Sequence, residues 1–208
     1  MTFFDVYAII ILATFYTLLL SKSYLVNRKG QKVVRLGQGK NGFARYLELF
    51  YYLGLLLLTY LVVVSATNCP VVIIGPLIYL FDSLILTVIG FILLNVSVII
   101  FAFALAALNE SWRIGIDHDN HGPLVTHGIF KWMRNPTYGA IIILFTGYFL
   151  SYSNFFFLGA LIFIIASFNH QIRKEEILLE KLYPDTYPEY KAHTPKYGFS
   201  LIKKQSRH

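Results

Sequence analysis

At 208 residues, 56% of them hydrophobic and only 14% charged, the chain lies far from a soluble domain, in which about a quarter of the residues carry charge. Several apolar runs approach or exceed the ~20 residues that cross a bilayer, so an integral membrane protein is expected. The single cysteine, Cys69, excludes an internal disulfide framework and a thiolate metal cluster. The net charge of +7 reads as the mark of a face turned to anionic lipid rather than of a nucleic-acid binder.

In chain order, the first apolar run extends from Val6 to Leu20, with Asp5 ahead of it and Lys22 behind. It lacks the basic leader and small-residue cleavage site of a signal peptide, so it is read as a retained anchor helix. A basic connection follows, with Lys22, Arg28, Lys29, Lys32, Arg35, Lys40 and Arg45, and its glycines break any helical period. The second helix is expected from about Ala44 to Ala66. Its aromatic start, Tyr46, Phe50, Tyr51 and Tyr52, suits an interfacial belt, and Glu48 falls in the first turn, where the helix dipole favours a carboxylate. Asn68-Cys69-Pro70 makes a turn. From Val71 to Leu108 the sequence is almost wholly apolar, too long for one simple crossing and barely long enough for two. Charge decides the count: one crossing places all 18 basic residues on one side, whereas two divide them against the positive-inside rule. Val71 to Phe81 is therefore expected to be a short re-entrant or interfacial piece, with Asp82 capping a helix from Ser83 to Leu108.

The polar stretch from Asn109 to Ala140 holds most of the candidate chemistry. Proline disfavours helix at Asn135, and Pro136 itself suits a first helical position, so a helix is expected to start there. Its unsatisfied N–H groups and partial positive charge make it a receptor for a carboxylate or phosphate. The shorter apolar runs Thr137 to Leu150 and Phe155 to Phe168, joined by Ser151-Tyr152-Ser153-Asn154, read as a helical hairpin. The fold class is all-α: a polytopic membrane protein of about five transmembrane helices, N-terminus outside and C-terminus inside. Residues 1–108 form the membrane holder and residues 109–208 the catalytic region, with a cytoplasmic cofactor pocket. Beyond Phe168 the helix leaves the membrane, with Ile172, Leu179, Leu182 and Tyr183 on one face. Pro184 ends it, and the Tyr- and Pro-rich tail is expected to fold back as turns over the helix ends. His118-Asp119-Asn120-His121 lacks a convincing third and fourth ligand, so no metal is expected. Neither Ser111 nor Ser200 has a nucleophile-elbow context.

LVTHGIFKWMRNPTYG followed, after a short hairpin, by IRKEEILLEKLYPDTYPEYKAHTP resembles the isoprenylcysteine carboxyl methyltransferase and phospholipid methyltransferase family. The similarity covers roughly Glu110 to Pro195. It implies that S-adenosylmethionine contacts Leu124, Val125, Phe130, Asn135, Pro136, Thr137, Tyr138 and one glutamate of the pair, Glu175 rather than Glu176. It also implies that a residue ahead of the pair contacts substrate: Arg173, with His170 and Gln171 as rivals. Asn135 stands where many members have histidine, Phe130 where tyrosine is common, and His193 where arginine often precedes the last proline. Asparagine at that position also occurs in phospholipid methyltransferases.

The chemistry agrees with what the resemblance implies. A sulfonium donor with an amino-acid end and an adenine needs a carboxylate for the ammonium, donors for the carboxylate and aromatic walls. Glu175, the helix start at Asn135, and Phe130, Trp132 and Tyr138 supply those types. Methyl transfer to a carboxylate is an in-line displacement that needs neither metal nor general base, so alignment supplies most of the rate. The expected activity is carboxyl O-methylation of a lipidated or lipid-like acceptor entering from the bilayer. The alternatives are a phospholipid or small-molecule N- or S-methyltransferase, which for an amine needs a base such as Glu176 or His193, and a nicotinamide-dependent sterol reductase-like enzyme. A scaffold protein without activity is the non-enzymatic alternative.

Overall fold

The computed structural model describes residues 1–29, 42–67, 79–108 and 123–198, with the side chains of the second helix described from residue 53 onward. Along these residues run α1 (Phe3–Arg28), α2 (Gly42–Thr67), α3 (Leu84–Leu108), a 3-10 turn (Gly128–Lys131), α4 (Pro136–Tyr152), α5 (Phe155–Leu182) and the short α6 (Tyr187–His193). No sheet forms among the described residues; one antiparallel bridge joins Tyr79 to Asn154. Most of the basic connection, the side chains of Tyr46, Glu48, Phe50, Tyr51 and Tyr52, the Asn68-Cys69-Pro70 turn and the His118–His121 cluster lie outside the described residues, as do Ser111 and Ser200.

α1 starts earlier than the apolar run because Thr2 and Asp5 close a capping box: Thr2 Oγ1 accepts from Asp5 N at 3.3 Å, and Asp5 Oδ2 accepts from Thr2 N at 2.6 Å. Asp5 is thus inside the first turn rather than ahead of the helix. The helix buries Ala8, Ile11, Leu12 and Phe15, a spacing of three and four that makes one apolar stripe. Phe15 stacks on Phe101 of α3 at 4.2 Å, and Tyr16 Oη reaches Thr59 Oγ1 at 2.7 Å and Leu55 O at 3.0 Å on α2.

At the start of α3 the structure corrects the expected cap by one residue. Ser83 Oγ lies 3.5 Å from Leu86 N and Ser83 O accepts from Thr87 N at 3.0 Å, while Asp82 is exposed. α3 packs closest against α4, because glycines face each other across the pair. A Cβ on Gly90 would lie 2.7 Å from Gly147 O, and one on Gly147 would lie 2.9 Å from Gly90 O. Small residues at such a crossing let backbones approach where the lipid supplies no hydrophobic drive. Ser97 Oγ donates to Ala140 O at 2.8 Å deeper in the same seam. The opposite side of α3 exposes Ile85, Ile92, Ile99 and Phe103, which suits contact with hydrocarbon.

The expected hairpin is present. Ser153, at φ 39°, turns the chain in the left-handed region, and Asn154 caps α5 by accepting from Phe156 N and Phe157 N, each at 3.1 Å. Leu80 N donates to Ser153 O at 2.6 Å and Ser153 Oγ donates to Phe81 O. The end of the expected re-entrant piece is thus docked on this turn; residues 68–78 lie outside the described residues. Among the described residues, α1, α3 and α5 are long and apolar enough to cross a membrane, and the apolar part of α2, Leu53–Thr67, is shorter. α4, at 17 residues, is also shorter.

Candidate active site

At the end of the bundle opposite the Ser153 turn, three segments meet: the start of α4, the polar end of α5 and the returning tail. Asn135 precedes α4 with φ −127° and ψ 58°, and Pro136 takes the first turn as expected. Asn135 does not cap with its side chain; its Nδ2 instead points to Lys196 O at a long 3.4 Å. One turn on, the Tyr138 ring packs edge-on against Phe168 at 4.8 Å. Its hydroxyl donates to Glu175 Oε1 at 2.5 Å, the short distance of a charge-assisted bond. The same oxygen accepts from Gln171 Nε2 at 3.0 Å, a pair that successive turns of α5 bring together.

Beside this cluster, Arg134 gathers the tail. Its Nε and Nη2 donate to Glu176 Oε1 at 3.2 and 2.9 Å. Its Nη1 donates to Lys191 O at 2.9 Å and to Thr194 O, and its backbone N donates to Pro195 O at 2.9 Å. Glu176 Oε2 takes Lys191 Nζ at 3.1 Å, and Lys191 also reaches Glu180 at 2.9 Å. The bond to Glu180 raises the Lys191 pKa, burial opposes it, and Glu176 adds to the rise. Both side chains of the Arg134–Glu176 pair are only 11% exposed, so this pair is inside the protein rather than a solvated surface bridge. Tyr190, on α6, donates to Phe130 O at 2.6 Å. Burial pushes its hydroxyl up to about 12 against the opposing pull of Arg134, which keeps it a proton donor. The tail therefore does fold back, but as the helix α6 and a strap of backbone carbonyls rather than as turns alone.

The expected site residues fall into three groups. Asn135, Pro136, Thr137, Tyr138 and Glu175 share the α4–α5 corner. Leu124 and Val125 are half-buried in extended chain, and Phe130 is buried with its carbonyl serving Tyr190. Arg173 and His170 are exposed on α5, whereas Gln171, a rival for the same role, is buried against Glu175. Glu176 has both oxygens committed to Arg134 and Lys191, and His193 is exposed with Nδ1 on Glu189 O at 2.9 Å. Sequence reasoning passed over Arg134 as the organiser of the tail, and Asn169 and Lys196 altogether. A usable signal lay in Asn169 being the first polar residue after the apolar run. Among the described residues no group of three or more His, Cys, Asp or Glu is placed to hold a metal.

A bundle of apolar helices with a polar, ion-paired corner at one end defines an integral membrane protein with its candidate site at that end. Residues 84–186, from α3 to the foot of α6, match the family model described as phospholipid methyltransferase. Through this region, just under half of its length, the chain is similar to that family of membrane methyltransferases. No curated protein matches the chain.

Proposed function

We propose that the chain is an S-adenosylmethionine-dependent methyltransferase whose acceptor is a membrane lipid reached laterally from the bilayer. The observation that carries this reading is the Tyr138–Glu175–Gln171 cluster at the start of α4, set inside the region matching phospholipid methyltransferases. The residues present fit the donor: Glu175 would hold its ammonium, the α4 N-terminus and Asn135 would hold its carboxylate, and the Tyr138 and Phe168 rings would offer apolar walls. When bound, the donor supplies a methyl carbon already activated on sulfur. The protein's part is alignment, with Tyr138 and Gln171 fixing the Glu175 carboxylate and Arg134 fixing the tail around it. We read α2 and α4 as completing five crossings, with this corner on the cytoplasmic side by the positive-inside rule. The match to a methyltransferase family takes precedence over the nicotinamide-dependent reductase alternative.

A phospholipid amine would first give its proton to water or to a base such as the exposed His193, and the bound donor would then supply the methyl group and leave as its neutral thioether. Carboxyl O-methylation of a lipid-anchored acceptor is the second reading. It is favoured by the commitment of Glu176 to Arg134 and Lys191, because a carboxylate nucleophile needs no base. Arg173 and Gln171 are the substrate-side residues under either reading. Membranes incubated with radiolabelled methyl donor, extracted and treated with base, separate the two: esters release methanol, N-methyl products keep their label, and unlabelled lipid and protein would overturn both.

A further inference from the structure

Among the described residues, Lys196 is placed by partners that do not neutralise it. Its carbonyl faces Asn135 Nδ2 at 3.4 Å, its Nζ donates to the neutral Asn169 Oδ1 at 2.6 Å, and the ammonium stands 5.2 Å from the Tyr197 ring centroid. Tyr197 Oη also approaches Asn169 Oδ1, at 3.4 Å, and the Tyr197 ring covers Gly139, where an added Cβ would meet Cδ1 at 3.7 Å. The ammonium is therefore held on α5 by Asn169, beside the Tyr197 ring that covers Gly139, the residue after Tyr138 on α4. Its depth is equally defined. Asn169 directly follows Phe168, where the apolar part of α5 ends, and Trp132, three residues before Asn135, is 55% exposed, as an interfacial aromatic is. With the apolar helices read as membrane-spanning, that would be the level of the lipid phosphates. Burial lowers the Lys196 pKa; Glu176 opposes this, and Arg173, Arg134 and Lys191 add to the fall. Glu176 is already bonded to Arg134 and Lys191. An anion arriving here would relieve the cost of a part-buried cation.

We propose that Lys196 is the acceptor's anchor: an ammonium, held by Asn169 at the membrane interface, that binds the phosphate of a phospholipid and so sets its head group beside Tyr138. This rests on the lipid-methyltransferase reading for its catalytic consequence, but not for the binding itself. With the full chain in lipid nanodiscs, K196Q should raise the KM for phosphatidylethanolamine about tenfold, a change of roughly one decade in affinity. The donor's dissociation constant should stay at the parent value, and K196R should restore the KM. A long-chain amine without phosphate should be methylated equally by parent and K196Q. Native mass spectrometry of protein released from the discs reads lipid retention without catalysis: the parent should keep phosphatidylethanolamine and K196Q should lose it. If the parent retains the phospholipid through Lys196 yet transfers no methyl group, the anchor stands and the enzymatic reading falls. A K196Q variant with parent KM and parent lipid retention, or one whose donor affinity falls while its phospholipid affinity is unchanged, overturns the proposal. The latter result would assign the ammonium to the donor's carboxylate instead.

Discussion

The two ends of α4 are fixed by opposite means. At the Ser153 end the contacts are short and largely backbone: glycine against glycine with α3, Leu80 N on Ser153 O at 2.6 Å, and the Asn154 cap on α5. At the Pro136 end the contacts are long polar side chains, and their partners lie in the tail: Arg134 on Lys191 and Thr194, and Asn135 on Lys196. A shape-locked end has no alternative set of partners, whereas charges and amides can exchange one partner for a ligand at modest cost. The difference places adaptability at the end holding the candidate site and rigidity at the end that only needs to hold.

The sharpest way to break this contrast is to empty the Arg134 corner. Arg134→Ala leaves Glu176 with Lys191 as its remaining cation, and Glu176→Ala leaves the buried guanidinium with backbone carbonyls, so each should cost about 3 kcal/mol in unfolding free energy. The double substitution should cost less than the sum, which a double-mutant cycle reads directly. Additive losses would show that the two groups do not act as one unit. At the shape-locked end, Gly147→Val must push a side chain into Leu94, whose Cδ2 lies 2.8 Å from the Cβ position, and into Gly90 O at 2.9 Å. Overpacking of that kind should cost about 1–3 kcal/mol, and donor affinity per folded molecule should stay unchanged in titration calorimetry. Within the site, Glu175→Gln should weaken donor binding about tenfold, or 1.4 kcal/mol, while the unfolding free energy moves less than for Glu176→Ala. If the two glutamates behave alike, the division into cofactor carboxylate and tail anchor is wrong. Asn135→Ala removes only a 3.4 Å contact within the protein, so its stability cost should stay below about 1 kcal/mol, with any larger loss confined to donor affinity. The smallest effect belongs to Arg173→Ala: an exposed position should leave stability within about 0.5 kcal/mol, so a fall in turnover alone would mark it as a substrate contact.

Much of this fold was legible because hydrophobic length and proline are local signals. The start of α4 at Pro136, the hairpin at Ser151–Asn154 and the long α5 all follow from them. Helix ends were less legible: α1 runs on through Lys22 to Arg28 because basic residues suit a helix C-terminus, and a hydropathy pattern stops where charge begins. The cap of α3 was misplaced because Asp82 and Ser83 are both good caps and only the chain's path chooses between them. At the site, the type of group was readable but the pairing was not. Two adjacent glutamates point about 100° apart on a helix, so one meets Tyr138 and the other Arg134, and nothing in the order of letters assigns them. The same rotation buries Gln171 and exposes Arg173. Lys196 escaped notice because its partners, Asn135 and Asn169, become neighbours only when the tail returns.

The ties of Arg134 also set a timetable for synthesis. Its guanidinium is satisfied by the Lys191 and Thr194 carbonyls, the latter 60 residues further along the chain, so a ribosome delivers the cation well before its acceptors. Every long apolar helix among the described residues is translated by Leu182, and the bundle can settle in the bilayer while this corner is still open. The last part to become native is the candidate site, so a nascent or prematurely terminated chain should be membrane-inserted with this corner still open until the residues from Tyr187 to Pro195 have emerged and closed over it.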